Sequence, residues 1–487
     1  MSDPKALTVS GRDLIYRLEG RPPLGVAFPL GLQHVLSMFV GNLAPVLILA
    51  GISTADGPLM TPEQKAMMVQ CCMFASGLTT MLQLYPIRIG KKDNPTIQIG
   101  AGLPIVMGTA FAFVPTLRTM GTQYSINIII GSIMAASIVE AVMGLLIKPL
   151  KKVFPSLVIG AVLLTIGLHL LPVGVQYFAG GAGPEAAAKT AAALIAEGKP
   201  VPEGTARLAA QFGSWQNLLI GSVVFLIIVC LQRFAKGMLK ISAILIAIIA
   251  GYLLATALGQ VDFTRVKEAG PINVPIPLFI KPEFNLSAII SLAAIYVVSG
   301  LETMGNVNGI TIAGFDREAT IPETQGAVIA DAAGSIIAST FNTLPNTAFG
   351  QNAGIVAMTK VVNKFCIFCG AIVLIIASFF PKLGELFAVM PTSVLGGAVV
   401  TVFAMIMLNG IKLIAKAGFT DRNLLILAIT FGVGFAISEN KPLVARLPGI
   451  LRGIFNDTTV AVGVVCLLLN LIFPASAEEK AKAQEAH

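Results

Sequence analysis

The sequence predicts an all-α polytopic membrane protein with 14 transmembrane segments, arranged as two inverted repeats of seven. Three observations predict it. Only 12% of the 487 residues are charged, about half of the roughly 25% usual in soluble domains. The hydrophobic fraction is 55% and the mean hydropathy +0.83, more apolar surface than a water-soluble fold of this size can bury. Apolar runs of about 20 residues, the length that spans a bilayer, recur along the whole chain, and two of them are broken in the same way.

The runs fall at 28–50, 66–86, 97–117, 124–146, 153–173, 216–234 and 238–257, then at 287–311, 321–341, 344–360, 363–380, 388–409, 421–436 and 450–472. They are numbered here as segments 1 to 14. Polar tails, 1–27 and 473–487, flank them, and the longest interruptions, 174–215 and 258–286, are rich in Gly, Pro and Ala. Runs of this length and number exclude a soluble enzyme with a single anchor. They also exclude an outer-membrane barrel, whose strands alternate at period two. An odd number of segments per half inverts the second repeat (287–472) against the first (28–257), a plan common in secondary transporters.

Basic residues cluster in short connections, among them Lys91-Lys92, Lys151-Lys152, Arg233 with Lys236 and Lys240, and Lys412 with Lys416. The connections that hold most of the 33 lysines and arginines share one face with both termini, which predicts cytoplasmic termini; Lys441, Arg446 and Arg452 run against this. The net charge of +8 belongs to these clusters, and no nucleic-acid partner is expected. The N-terminus lacks an apolar stretch of the kind that precedes signal cleavage, so no cleaved leader is expected. The six cysteines lie mostly inside apolar runs and read as small packing residues.

Segment 3 reads NPTIQIGAGLPIVMGTAFAFVP and segment 10 reads LPNTAFGQNAGIVAMTK. Each opens on an Asn/Pro/Thr cluster, then runs through polar and Gly residues to Gly102-Leu-Pro-Ile-Val-Met or Gly354-Ile-Val-Ala-Met. Gly and Pro at a segment's centre make poor helix interior, so each is expected to be extended in one half and helical in the other. Paired breaks at matching repeat positions point to a substrate site.

Ionisable residues inside membrane segments are costly and mark function by default. Glu302 stands in segment 8 with Asn306 at i+4 on the same face. Asp331 heads a small polar stripe with Ser335 and Ser339 in segment 9. Gln33 and His34 lie early in segment 1, and Gln351 and Asn352 occupy the break of segment 10. Glu140, in segment 4 near Lys148, reads as structural. A carboxylate and a carboxamide suit a neutral planar ligand with alternating donors and acceptors, and a half-helix N-terminus adds free N–H groups. Phe111, Phe113 and Phe349 flank the breaks and could stack on an aromatic ring. No nucleophile–base pair, metal cluster or phosphate loop appears, so neither an enzyme nor a cofactor is expected, and uphill work would draw on an ion gradient. An ion channel is the remote alternative, since scattered single carboxylates make a poor pore lining.

Gln351-Asn352-Ala-Gly354-Ile-Val-Ala-Met-Thr359-Lys360 resembles the signature of the nucleobase–ascorbate transporter family, Gln/Glu/Pro-Asn-x-Gly-x-x-x-x-Thr-Arg/Lys/Gly, at every fixed position. Gln33-His34, the Gly-rich segment 3, Glu302 and Asp331 follow in the family's order, so the likeness covers roughly 25–472. The resemblance implies a core domain (28–146 and 287–380) and a gate domain (153–257 and 388–472), with substrate held between them beside the breaks. It implies that Glu302 and Gln351 bind the base, that Asn352 and Asp331 tune affinity and coupling, and that His34 and Asn306 support the site. Ala110, Phe111, Phe349 and Gly350 complete the expected binding set. Members with Gln at the first motif position tend to take xanthine or urate, and those with Glu take uracil, so Gln351 implies an oxidised purine. Xanthine against urate stays open, and a pyrimidine or another purine as substrate, or sodium coupling, are the alternatives. The resemblance further implies proton-coupled uptake across a bacterial-type inner membrane and a homodimer formed through the gate; Glu302 at mid-membrane is the expected proton carrier, binding proton and purine together, with Asp331 the alternative.

Overall fold

The computed structural model describes residues 13–54, 57–91, 94–147 and 156–473. Most of the two expected tails, together with Lys148, Lys151 and Lys152, lies outside them. All 14 runs have a counterpart in the structure. Among the described residues, eight form helices long and apolar enough to cross a bilayer: Leu24–Ala50, Pro62–Leu84, Ile126–Leu145, Ser156–Phe178, Trp215–Phe234, Leu286–Phe315, Thr392–Ala417 and Asp421–Glu439. These are segments 1, 2, 4, 5, 6, 8, 12 and 13. Segments 7 and 14 are shorter apolar helices, Ala243–Ala257 and Thr458–Ile472. Segment 9 is the helix Ile321–Thr340, diluted by its polar stripe, and segment 11, Lys364–Ser378, bends by 83° into Pro381–Ala388. Segments 3 and 10 are broken. Helices dominate because a chain in lipid must satisfy its backbone N–H and C=O groups internally.

The packing repeats itself. Segment 11 lies on segments 1 and 2, just as segment 4 lies on segments 8 and 9. Segments 5 and 12, also equivalent under a seven-segment repeat, pack along each other, with segments 6 and 7 against segment 12. The helix starts repeat as well. Segments 2 and 9 both open on a capping box with Pro in the first turn, Thr61 with Gln64 and Thr320 with Glu323.

Helices in lipid gain little from burying apolar groups against each other, so close backbone approach at small residues carries their association. At the crossing of segments 1 and 11, a Cβ on Gly370 would stand 2.6 Å from the Gly31 carbonyl oxygen and 2.9 Å from Val35 Cγ2. Gly370→Ala must therefore push the helices apart, at a cost of about 1–3 kcal/mol. A lowered melting temperature of the purified protein in detergent is the expected result, and an unchanged one would contradict this crossing.

Three features depart from the expected loops. The interruption 174–215 holds the helices Ala182–Ala196 and Glu203–Ala209, because its Ala-rich stretch has high helix propensity. Residues 13–22, expected to belong to a tail, dock on the start of segment 11: Asn363 Nδ2 donates to the carbonyls of Leu14 and Arg17, both at 3.0 Å. The Asn94–Ile99 stretch, counted partly within segment 3, pairs antiparallel with Ile87–Lys91 as a hairpin. Cys366 and Cys369 stand in C-x-x-C spacing on one helix, and both are buried free thiols.

Candidate functional site

The two broken segments meet at the centre of the bundle. Strand Met107–Thr109 pairs antiparallel with strand Asn346–Ala348, in the register Met107↔Ala348, Gly108↔Thr347 and Thr109↔Asn346. Each strand runs into a half-helix, Phe111–Phe113 continuing as Val114–Gly121 on one side and Gln351–Thr359 on the other. Neither half-helix has a side-chain cap at its start; in the second, the N–H groups of Asn352 and Ala353 donate to Phe349 O at 3.2 Å and Gly350 O at 3.1 Å.

Buried polar groups hold these strands in place. Asn42 Oδ1 accepts from Thr109 N at 2.8 Å, Thr109 Oγ1 at 3.1 Å and Ser76 Oγ at 2.9 Å. On the other strand, Asp331 accepts from Thr347 Oγ1 at 3.0 Å, Ala348 N at 3.4 Å, Gln83 Nε2 at 3.2 Å and Thr303 Oγ1. Ser335 and Asn346 exchange a further pair of bonds, so part of the polar stripe of segment 9 is an anchor for the break. Asn42 and Gln83 are absent from the sequence-based candidates. Their signal was a neutral carboxamide within an apolar run.

Segment 8 brings its own groups to the same place. Asn306 Nδ2 donates to Ala348 O at 2.8 Å, and the Asn306 carboxamide occupies the place a Cβ on Gly350 would need. Glu302, one turn away and half-buried, faces a narrow crevice lined by Ile159, Val162 and Leu163 of segment 5 with Val298 and Leu301. Gln351, next to Gly350, is exposed, while Asn352 is fully buried and turned toward buried His34. Consecutive helical residues point about 100° apart, which separates the two carboxamides. Among the described residues, neither ring nitrogen of His34 nor either polar atom of Asn352 has a hydrogen-bond partner of proper geometry.

The aromatic candidates divide. Phe111 is half-buried and meets Phe403 of segment 12 edge to face, centroids 5.7 Å apart. Phe349 is 6% exposed and wedges its ring against Gly41 and Gly108. Phe113 packs on Tyr296 at 4.6 Å, inside the bundle. Ala110 is buried, its N–H bonded to Pro345 O at 2.8 Å. Glu140 is also buried, and among the described residues no group meets its oxygens in hydrogen-bonding geometry.

At the face that carries the long loops, segments 1 and 3 are tied to segments 5 and 14. Tyr177 Oη donates to Ile48 O at 2.9 Å, Arg118 Nη2 to Gln176 Oε1 at 2.7 Å, and Thr116 Oγ1 to Asp457. A cleft of about 330 Å³ lies on this face, lined by Glu63, Gln70, Asn273 and Glu385 among others, away from the strand pair. Among the described residues, no group of three or more His, Cys, Asp and Glu could hold a metal ion.

Inverted repeats of membrane helices, with two strand–helix breaks meeting at mid-bundle among carboxamides and a carboxylate, define a multi-pass membrane transporter. The chain belongs to the Permease family, whose model matches residues 25–202 and 198–442, in keeping with the resemblance to the nucleobase–ascorbate transporters. It is 31% identical to a putative purine permease of Clostridium perfringens over 95% of this chain and 94% of that protein. It is 30% identical to a xanthine permease of Bacillus subtilis over 96% of this chain and 98% of the relative. Its fold is similar to that of the murine Solute Carrier 26 family member A9 anion transporter in the inward-facing state, with a TM-score of 0.56 at 13% identity, covering 95% of this chain and 70% of that one.

Proposed function

We propose that the protein is a secondary active transporter that takes up an oxidised purine, xanthine or uric acid, across the cytoplasmic membrane together with a proton. The observation that carries the proposal is the grouping at the break: exposed Gln351 beside Gly350 and Asn306, with Glu302 one turn further on. An oxidised purine presents ring N–H donors and carbonyl acceptors around its edge. Glu302 accepts from two donors, Gln351 offers one donor group and one acceptor, and the Gln351 N–H at the start of the half-helix is available to a carbonyl. The names of the relatives, a putative purine permease and a xanthine permease, support a purine substrate with xanthine among the candidates.

In this reading, 28–146 and 287–380 form a core that carries the base, and 153–257 and 388–472 form the gate against which it moves. Ala110, Phe349 and Gly350 shape the core side of the pocket, while Phe111 meets the gate at Phe403. His34 and Asn352 form the buried polar floor, and the coupling proton rides on the buried carboxyls of the core. The gate also supplies the surface for a homodimer, and both termini face the cytoplasm.

Uptake of labelled xanthine into proteoliposomes, in the presence of unlabelled bases and with or without an uncoupler, tests the proposal. Xanthine or urate is expected to compete, uracil is not, and the uncoupler is expected to abolish accumulation. Uptake of labelled uracil with none of labelled xanthine would make the protein a pyrimidine carrier. Accumulation that ignored the proton gradient and followed sodium would move the coupling to sodium.

A further inference from the structure

Segment 4 carries an acid that the base-binding site does not use. Glu140 is fully buried, and among the described residues no group meets either of its oxygens in hydrogen-bonding geometry. Contacts on both sides fix its level in the bundle. Toward segment 8, Tyr296 Oη donates to Ile133 O at 3.2 Å, and a Cβ on Gly300 would lie 3.2 Å from Met143 Cε. Toward segment 9, a Cβ on Gly144 would lie 3.1 Å from Ile329 N. Glu140, one turn from Gly144, therefore comes level with Asp331. Its charged neighbours are Asp331 and Glu302, and the Ser299 hydroxyl lies beside it. Ser299 is likewise fully buried, and among the described residues its hydroxyl makes no hydrogen bond of proper geometry. Among the described residues, Tyr296, Glu302 and Asp331 are the titratable groups that face Glu140 from segments 8 and 9, and no cation does.

Glu140 and Asp331 differ in kind. Asp331 collects four donors, a setting that suits a carboxylate anion. Among the described residues, Glu140 has no donor in hydrogen-bonding geometry, and only the Ser299 hydroxyl lies beside it. A second anion beside the first, without donors and in a low dielectric, would cost several kcal/mol. A proton on Glu140 removes that cost and gives the acid a donor to share with the Ser299 oxygen.

We propose that Glu140 is a proton-binding residue of the transport cycle, with Asp331 as the neighbouring anion and Glu302 left to bind the base. The proposal rests on the proton-coupled reading given above. In the step itself, an O–H bond forms on a Glu140 carboxylate oxygen when the core is open to the proton-rich side. That bond breaks to water on the other side, and no other covalent bond changes.

The test uses purified full-length protein in proteoliposomes. Wild type is measured first: if it accumulates no xanthine on a proton gradient, the coupling reading fails before any variant is made. Given coupled wild type, Glu140→Gln is expected to lower gradient-driven accumulation by roughly tenfold, within the range of an ordinary coupling free energy. Counterflow of labelled against unlabelled xanthine, which moves no net proton, is expected to persist. The infrared carbonyl band of a buried protonated carboxyl group, present in wild type, is expected to be lost in this variant. Gradient-driven accumulation equal to wild type, or an unchanged band, would overturn the proposal. If Glu140→Gln also loses counterflow, Glu140→Asp decides the matter. Recovery of gradient-driven accumulation supports the proton role, and recovery of counterflow without it, or of neither, overturns it.

Discussion

Glu302→Ala is expected to lose high-affinity purine binding, with Kd rising by roughly 30- to 1,000-fold for a loss of about 2–4 kcal/mol. Glu302 is half-buried at the crevice between segments 8 and 5, and among the described residues no ion pair includes it. Its acceptor capacity is thus free for a ligand. Asn306, one turn away, is committed to Ala348 O, and Asp331 is committed to the strand, so neither can take its place. Glu302→Gln keeps the shape and one acceptor oxygen, and should lose less, about 1–2 kcal/mol. Equilibrium binding of labelled xanthine to purified protein separates this effect from any defect in transport. Wild-type affinity in Glu302→Ala would remove the residue from the site.

How much of this was legible in the sequence depends on how much pattern each feature needs. The membrane segments were legible because lipid demands long unbroken apolar runs, and even segment 11, bent by 83°, announces itself that way. The two breaks were legible because Gly and Pro at mid-segment spoil a helix. Their register was not. The sequence sets Gly102 against Gly354, but the structure pairs Met107–Thr109 with Asn346–Ala348, so that Gly102 precedes its strand and Gly354 follows its own. Three-residue strands are too short to carry a period. Gly102 instead serves a turn at φ +71°, where a side chain is strained.

The candidate site divides in the same way. Glu302, Asp331, Gln351 and Asn352 were visible as polar residues that lipid does not tolerate without cause. That Gln351 faces outward while Asn352 is buried follows from their being neighbours on a helix, but which one is buried required the packing of segment 1. Asn42 and Gln83 lacked a charge to draw attention, and their roles depend on strands that approach them from distant parts of the chain. Glu140 looked peripheral from its nearness to Lys148 in sequence. Only the packing of segment 4 on segments 8 and 9 shows it at the level of Asp331.

Asp331→Ala is expected to destabilise the fold itself, by about 3–5 kcal/mol, as the removal of one partner from a buried charged network does. The donors it would abandon come from three directions: Gln83 from segment 2, Thr303 from segment 8, and Thr347 with the Ala348 N–H from segment 10. Gln83 also holds Ala101 N at 2.9 Å and Ala327 O at 3.1 Å, so the loss reaches the turn that feeds segment 3. Each buried donor left without an acceptor costs about 1–3 kcal/mol, and the donors share one centre, so their costs should not simply add. A loss of this size is a large part of the roughly 5–15 kcal/mol that stabilises an ordinary protein. Little monodisperse protein should survive extraction. Asp331→Asn keeps the volume and one oxygen but turns an NH₂ group toward donors, and should fall between Ala and wild type. Glu140→Gln breaks no hydrogen bond and should melt close to wild type. Melting curves of the three variants in one detergent give the comparison. If Asp331→Ala melted like wild type, the strand pair would not depend on this carboxylate, and Asp331 would act through its charge alone.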